Sequence, residues 1–123
     1  MVLRVIEKEF SICKVPDCSG VDLTAAFVFI AKTDEEISVV CESSLTPPNL
    51  ISREDGWRAF RIEGPLDFSL IGILAGISAI LADAGIGIFV ISTFDTDYVL
   101  TKAARFDQAL QVLEANGYTI QIP

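Results

Sequence analysis

The stretch LIGILAGISAILADAGIGIFVIS, residues 70–92, contains the two elements that decide the fold. Its first part repeats leucine, isoleucine and alanine at helical spacing up to Ala84, which predicts a helix with one broad apolar face. Asp83-Ala84-Gly85 is a typical helix end, because glycine readily adopts the left-handed conformation required there. The β-branched and aromatic residues from Ile86 to Ser92 predict a buried strand. The apolar stretch is therefore a helix followed by a strand, not a membrane span.

The segments on either side extend this pattern. Trp57 to Glu63 alternates as a strand, and Gly64-Pro65 ends it before Asp67 or Ser69, either of which is a suitable cap for the helix. Gly72 and Gly76 fall within the predicted helix and indicate close packing there, with close approach of a ligand as the alternative.

After residue 92 the sequence predicts three more elements: a strand from Asp97 to Lys102, a helix from Ala103 to Asn116 that ends at Gly117, and a strand from Tyr118 to Ile122. The order from Trp57 onward is then β-α-β-β-α-β. This order is typical of the ferredoxin-like α+β fold, in which two helices cover an antiparallel sheet.

The first half of the chain resembles the second but is poorer in helix. Leu3 to Val15 predicts a strand, Pro16 to Ala26 a loop or short helix, and Phe27 to Lys32 with Ile37 to Glu42 a hairpin. Ser43 to Gly56 contains two adjacent prolines and predicts the main linker. At an offset of 60 residues, Phe29, Thr33 and Val39 recur as Phe89, Thr93 and Val99. We therefore predict a degenerate half, residues 1–56, followed by a complete domain, residues 57–123.

Composition excludes several functions. The chain has 123 residues, 51% of them hydrophobic, and a net charge of −8, which disfavours binding to nucleic acids or anionic membranes. It contains no histidine, so Ser-His-Asp and Cys-His catalysis are excluded. Cys13, Cys18 and Cys41 lack C-x-x-C spacing, which predicts reduced, buried thiols in the cytoplasm, with a Cys13–Cys18 redox pair as the alternative.

Two segments carry candidate binding chemistry. Ser92 to Tyr98 places hydroxyls, carboxylates and an aromatic ring at a hairpin tip, where they can bind a cationic amine. The alternative is a solvated turn. Gly64 to Ser69 precedes a helix, whose free backbone N–H groups can bind a carboxylate, and the alternative there is simple capping.

The run from Ile62 to Leu100, with its "LADAGI" and "IST" segments, resembles the ACT domains of aspartate-kinase-type regulatory proteins. It is more similar still to tandem ACT proteins, among them the CASTOR arginine sensors and small stand-alone bacterial ACT proteins. "TDEEISVVC", residues 33–41, resembles the first hairpin of those proteins. The resemblance implies an ACT-like first half and an ACT domain from residue 57. It also implies a ligand held between ACT units by Asp67, Leu70, Ile73, Thr93, Phe94 and Asp97.

These observations predict a non-catalytic, cytoplasmic regulatory module that binds an amino acid and forms a homodimer, without a cofactor or metal. The alternative is a ligand-free ACT unit that acts in dimerisation or protein interaction. An enzyme would have to use Lys32, Lys102, a carboxylate or a thiol, and no sequence pattern places these groups together.

Overall fold

The computed structural model describes residues 1–63 and 71–123, which form two compact units. The C-terminal unit comprises Met1–Glu7 and Arg58–Pro123, and the N-terminal unit comprises Lys8–Trp57. Two long strands, β1 (Val2–Lys14) and β4 (Ser52–Ile62), contribute residues to both units. The division into domains at residues 56 and 57 stays a prediction.

The N-terminal unit contains the predicted hairpin. Strands β2 (Val28–Lys32) and β3 (Ile37–Glu42) pair in antiparallel orientation, and β3 also pairs antiparallel with β1. Alternating residues of β1 and β3, together with Val15 directly after β1, bury a small core of Cys13, Val15, Val39 and Cys41. The segment before β2 forms a loop, with turns in which the Asp17 and Asp22 carboxylates each accept a backbone hydrogen bond at 2.9 Å.

The predicted linker is partly a strand. After a short 3-10 helix, Ser43–Leu45, strand β4 begins at Ser52 and not at Trp57 as predicted. Long-range contacts hold this extension: Ile51 N donates to Lys14 O at 2.8 Å, and Asp55 accepts a hydrogen bond from the Ser11 hydroxyl. The local pattern of turn-forming residues does not reveal such partners, which explains why the strand was missed.

The C-terminal unit has the predicted element order. Strand β4 is followed by α1 (Ile73–Asp83), β5 (Phe89–Ser92), β6 (Asp97–Lys102), α2 (Ala103–Ala115) and β7 (Thr119–Gln121). Gly85 and Gly117 follow the two helices with φ of +73° and +96°, as predicted for glycines at helix ends. The α+β ferredoxin-like class is thus confirmed.

The sheet of this unit differs from the prediction at one edge. Its strands follow the order β1-β4-β6-β5, and β7 pairs with β1 in parallel, with Leu3 opposite Ile120. The prediction of a wholly antiparallel sheet is therefore wrong at β7. Strand β1, from the start of the chain, pairs with β4 and also with β7. The sequence from residue 57 onward does not reveal this partner.

Helix α1 begins later than predicted. Its first residue is Ile73, and its N-cap is Gly72. Gly72 has a φ of +81°, which glycine adopts readily, and it has no side chain that could cap the helix. The prediction of Asp67 or Ser69 as the cap is thus wrong, and both residues lie outside the described part of the chain. Gly76 is within the helix, where an added Cβ would lie 3.3 Å from the Tyr118 hydroxyl. Close packing explains this glycine.

The core of the C-terminal unit lies between the sheet and the two helices. Phe60 and Phe106 have ring centroids 6.5 Å apart, and the Arg58 guanidinium lies 4.8 Å from the centroid of the Phe106 ring. The predicted apolar face of α1 packs here, with Ile77 and Leu81 fully buried. Neither helix of the described ranges is long and apolar enough to cross a membrane.

The two hairpins have the same register at an offset of 60 residues. Phe29 is opposite Val40 as Phe89 is opposite Leu100, and the same holds at the next three pairs of each hairpin. In each turn a threonine N–H donates the closing hydrogen bond. Thr33 N donates to Glu36 O at 2.9 Å, and Thr93 N donates to Thr96 O at 2.8 Å. The two hairpins thus share one backbone geometry, and the internal duplication stays a prediction.

Replacing Ile77 by alanine is expected to lower the free energy of unfolding by about 2–5 kcal/mol, because it leaves a cavity in the fully buried core without reducing helix propensity. Ile122→Ala is the matched control, since Ile122 is 60% exposed, and its expected loss is below about 0.5 kcal/mol. Urea unfolding measures both variants. Equal losses would contradict the assigned core.

The cysteines should differ sharply in reactivity. All three thiols are free, but only Cys18 is exposed, so the prediction of buried thiols is wrong for this residue. Burial raises the pKa of Cys13, and burial beside Cys13 raises that of Cys41 to about 12. Near pH 8 a thiol-reactive dye should therefore label one cysteine rapidly in the native protein and three after denaturation. Cys18→Ser should remove the rapid phase, and its persistence would contradict the assignment.

Candidate functional site

The turn between β5 and β6 is closed by Thr93. The backbone N–H of Thr93 donates to Thr96 O. The Thr93 hydroxyl also donates to Thr96 O, at 3.0 Å, and accepts from Thr96 N at 3.3 Å. Threonine suits this position because its short side chain can replace backbone hydrogen bonds in a turn. Thr93 therefore holds the shape of the turn, which places the neighbouring polar groups.

Asp97 and Ser92 form the polar pair at the base of this turn. They are directly opposite each other in the β5–β6 ladder, and the Ser92 hydroxyl donates to Asp97 Oδ1 at 2.5 Å. Within the described residues no hydrogen bond reaches Oδ2 of Asp97. The carboxylate is thus oriented by a neutral donor and has an oxygen available for an ammonium group.

Strand alternation fixes the side of the sheet on which Asp97 lies. Asp97 and Val99 are two residues apart and therefore lie on the same face, the one that the helices cover. Ile73, the first residue of α1, packs against the same core as Val99. The structure thus brings Ile73 and Asp97 to one side of the sheet.

The other predicted ligand residues have separate surroundings. Phe94 lies at the tip of the turn and is 82% exposed. Ile73 lines a cavity of about 350 Å³ with Met1, Ile80, Asn116, Gly117 and Tyr118, and no residue of the β5–β6 turn belongs to this lining. Asp67 and Leu70 lie outside the described residues.

Two residues near the turn were not singled out from the sequence. The Thr96 hydroxyl donates to Ile62 O at 2.6 Å and so fastens the turn to the end of β4. Ser92 orients Asp97, and it belonged to the polar cluster without being assigned a role. Cross-strand register supplies the signal for Ser92, because residues opposite each other in a hairpin have neighbouring side chains.

A charged cluster lies on the opposite face of the same sheet. Arg61 Nη1 donates to the Tyr98 hydroxyl at 3.2 Å, and its Nε is 3.9 Å from the Glu63 carboxylate. Arg4 Nη1 is 3.6 Å from the other oxygen of Glu63. Because Tyr98 alternates with Asp97 along β6, this cluster is separate from the Ser92–Asp97 pair.

The first hairpin has the same backbone but different side chains. At the offset of 60 residues, Lys32 corresponds to Ser92 and Ile37 to Asp97. The hydroxyl–carboxylate pair is therefore specific to the second hairpin. No group of metal-ligating side chains is found among residues 1–63 and 71–123.

The fold and the site together define a small α+β domain with a polar hairpin tip between β5 and β6. The family model of the ACT domain matches residues 52–115, more than half of the chain. This protein belongs to the ACT domain family. A comparison with curated protein sequences finds no match.

Solved structures share the fold of this chain. A protein of Agobacterium tumefaciens is 29% identical with a TM-score of 0.85, and the alignment covers 99% of this chain and 92% of that one. A Vibrio cholerae protein described as a possible transport protein is 19% identical with a TM-score of 0.70, over 90% of this chain and 85% of that one. The aspartate kinase of Clostridium acetobutylicum is 11% identical with a TM-score of 0.67, over 89% of this chain but 33% of the kinase. The last two show similarity of fold alone.

Proposed function

We propose that this chain is a non-catalytic regulatory module of the tandem ACT type that binds an amino acid through the β5–β6 hairpin. The observation that carries the proposal is the Ser92–Asp97 pair, in which a hydroxyl orients a carboxylate at the end of an otherwise apolar hairpin. Membership of the ACT family supports the regulatory role. The degenerate half, residues 1–56, and the ACT domain, residues 57–123, are the two repeats of this proposal.

In this proposal Asp97 binds the ligand ammonium group, Thr93 shapes the turn, and Phe94 covers the aliphatic part of the ligand. The exposure of Phe94 supports a contact made on binding, because a large apolar side chain at a turn gains most from being covered by a partner. Asp67, Leu70 and Ile73 hold the carboxylate end. The ligand lies between ACT units of a cytoplasmic homodimer, so that binding alters the contact between them.

A thermal-shift panel of the twenty amino acids tests this function. A ligand at 100 times its Kd should add about 2.7 kcal/mol to the free energy of unfolding and raise the melting temperature. Asp97→Asn should abolish the rise, because it removes the charge that faces the ammonium group while preserving the shape of the side chain.

Asp95→Asn is the matched control, because Asp95 is an exposed carboxylate in the same turn. This substitution should leave the rise in melting temperature intact. An equal response in both variants would move the site away from Asp97. No rise with any amino acid would refute ligand binding.

A second candidate function is an interaction module without a ligand. Ile71, just before the N-cap of α1, is 91% exposed, the highest value among the exposed large apolar residues of the described ranges, and burial against another protein copy would remove this surface from water. In this case the start of α1 would belong to a dimer interface instead of a ligand site.

Light scattering of the unliganded protein tests this candidate. Ile71→Asp should convert a dimer to a monomer, because a charge buried in an apolar contact is costly. Leu23→Asp is the control, since Leu23 is also exposed but lies in the N-terminal unit. A wild-type monomer, or a dimer that survives Ile71→Asp, would refute this candidate.

A further inference from the structure

Cys13 and Cys41 lie side by side in the core of the N-terminal unit. In the antiparallel β1–β3 ladder Cys13 is opposite Val39 and Cys41 is opposite Ser11, so the two cysteines are diagonal neighbours. Both belong to one cluster of buried residues, in which each cysteine is 2% exposed. A hydrogen bond joins the two thiols. Two sulfur atoms are thus held together in a largely apolar interior.

The diagonal placement does not suit a disulfide. Diagonal neighbours of antiparallel strands have Cα atoms about 7–8 Å apart, whereas a disulfide needs them within about 7 Å. Both thiols are free. An ion bound between two sulfurs separates them by two metal–sulfur bonds, a longer span than the single sulfur–sulfur bond of about 2.05 Å. The arrangement therefore favours a bridging ion over a covalent bond.

Charge also favours a cation between the thiols. Burial raises the pKa of Cys13, and burial together with repulsion from Cys13 raises the pKa of Cys41 to about 12. Among the charged side chains around the pair, Arg53 lowers the pKa of both thiols. Asp55 raises the pKa of Cys13, and Glu42 raises that of Cys41. A cation bound between the sulfurs stabilises both thiolates at once, because its own charge is then the largest one nearby.

The number of ligands selects the kind of ion. Within residues 1–63 and 71–123 no third histidine, cysteine or carboxylate joins the two thiols to form a larger ligand group. Zn²⁺ takes four ligands in structural sites, so two sulfurs do not satisfy it. Thiolates are soft ligands of the kind that Cu(I) prefers, and Cu(I) accepts two of them in a linear arrangement. The pair therefore matches a soft monovalent ion.

The cover of this core differs from that of the C-terminal unit. Val21 and Leu50 pack against it, and both belong to segments between the regular elements. In the C-terminal unit, residues of α1 and α2 take this place. Irregular segments open locally at a lower free energy than packed helices, because fewer backbone hydrogen bonds break. Such opening gives an ion a route to the buried thiols.

We propose that Cys13 and Cys41 form a two-thiolate binding site for Cu(I). One Cu⁺ ion displaces the protons of both thiols, so that two Cu–S bonds form, two protons are released and no electron is transferred. The bound ion links β1 to β3. Because the site shares no residue with the β5–β6 hairpin, this inference does not depend on the function proposed above.

Titration with Cu(I) against a colorimetric Cu(I) chelator, under anaerobic and reducing conditions, tests the site in the full chain with Cys18→Ser. This substitution removes the exposed thiol, which would otherwise bind copper by itself. The expected result is one Cu(I) per chain. Its affinity should rise about a hundredfold per pH unit between pH 6 and 8, because binding releases two protons from thiols that are protonated throughout this range.

Serine variants of the two cysteines test the ligands. Cys13→Ser or Cys41→Ser, added to the same background, should abolish the retention of copper against the chelator, since a single thiolate remains. Val28→Ala is the matched control, because Val28 packs against the same core without offering a ligand, and it should keep one copper per chain. Excess Zn²⁺ should not displace the copper.

X-ray absorption at the copper edge makes the test independent of whether the serine variants fold, because it is measured on the Cys18→Ser chain itself. It should count two sulfur neighbours. No copper uptake, a single sulfur neighbour, or an affinity that changes only about tenfold per pH unit would each overturn the site. Copper that both serine variants retain would overturn it as well.

Discussion

Strand β1 is the element on which the rest of the structure depends. Its residues 2–4 pair in parallel with β7, and its residues 10–14 pair antiparallel with β3. One continuous strand therefore completes the ladder of both units, and each unit needs it to satisfy backbone groups that would otherwise be unpaired. Because Leu3 and Val5 also enter the core of the C-terminal unit, the first residues of the chain stabilise elements more than 50 positions away.

The sequence predicted those features whose causes are local. The ends of both helices follow from Gly85 and Gly117, and both hairpins follow from alternating strands around a short polar turn. It did not predict the early start of β4 or the partner of β7, because both depend on β1. Gly72 was placed inside α1 for a similar reason: apolar spacing continues past the residue whose left-handed conformation starts the helix.

The candidate site was found from composition, but its arrangement comes from register. A polar cluster between apolar strands indicates the hairpin tip, yet it does not distinguish Asp95 from Asp97. The ladder does so, because Ser92 lies opposite Asp97 and directs its carboxylate. Strand alternation then separates Asp97 from the Arg61–Tyr98 contact on the other face. Without the strand register, the sequence pattern does not separate the Ser92–Asp97 pair from the Arg61–Tyr98 contact.

The two hairpins share a backbone geometry and a register but carry different side chains beside the turn. In both copies a threonine hydroxyl accepts a backbone N–H of the turn, so the shape of the tip depends on Thr33 or Thr93 and on the backbone. The side chains that flank the turn make none of these turn-closing hydrogen bonds. Lys32 and Ile37 in the first copy and Ser92 and Asp97 in the second differ in charge without altering the register. The same turn geometry is therefore compatible with different side chains at the flanking positions: Ile37 packs against the core of the N-terminal unit, where the second hairpin has a carboxylate, Asp97.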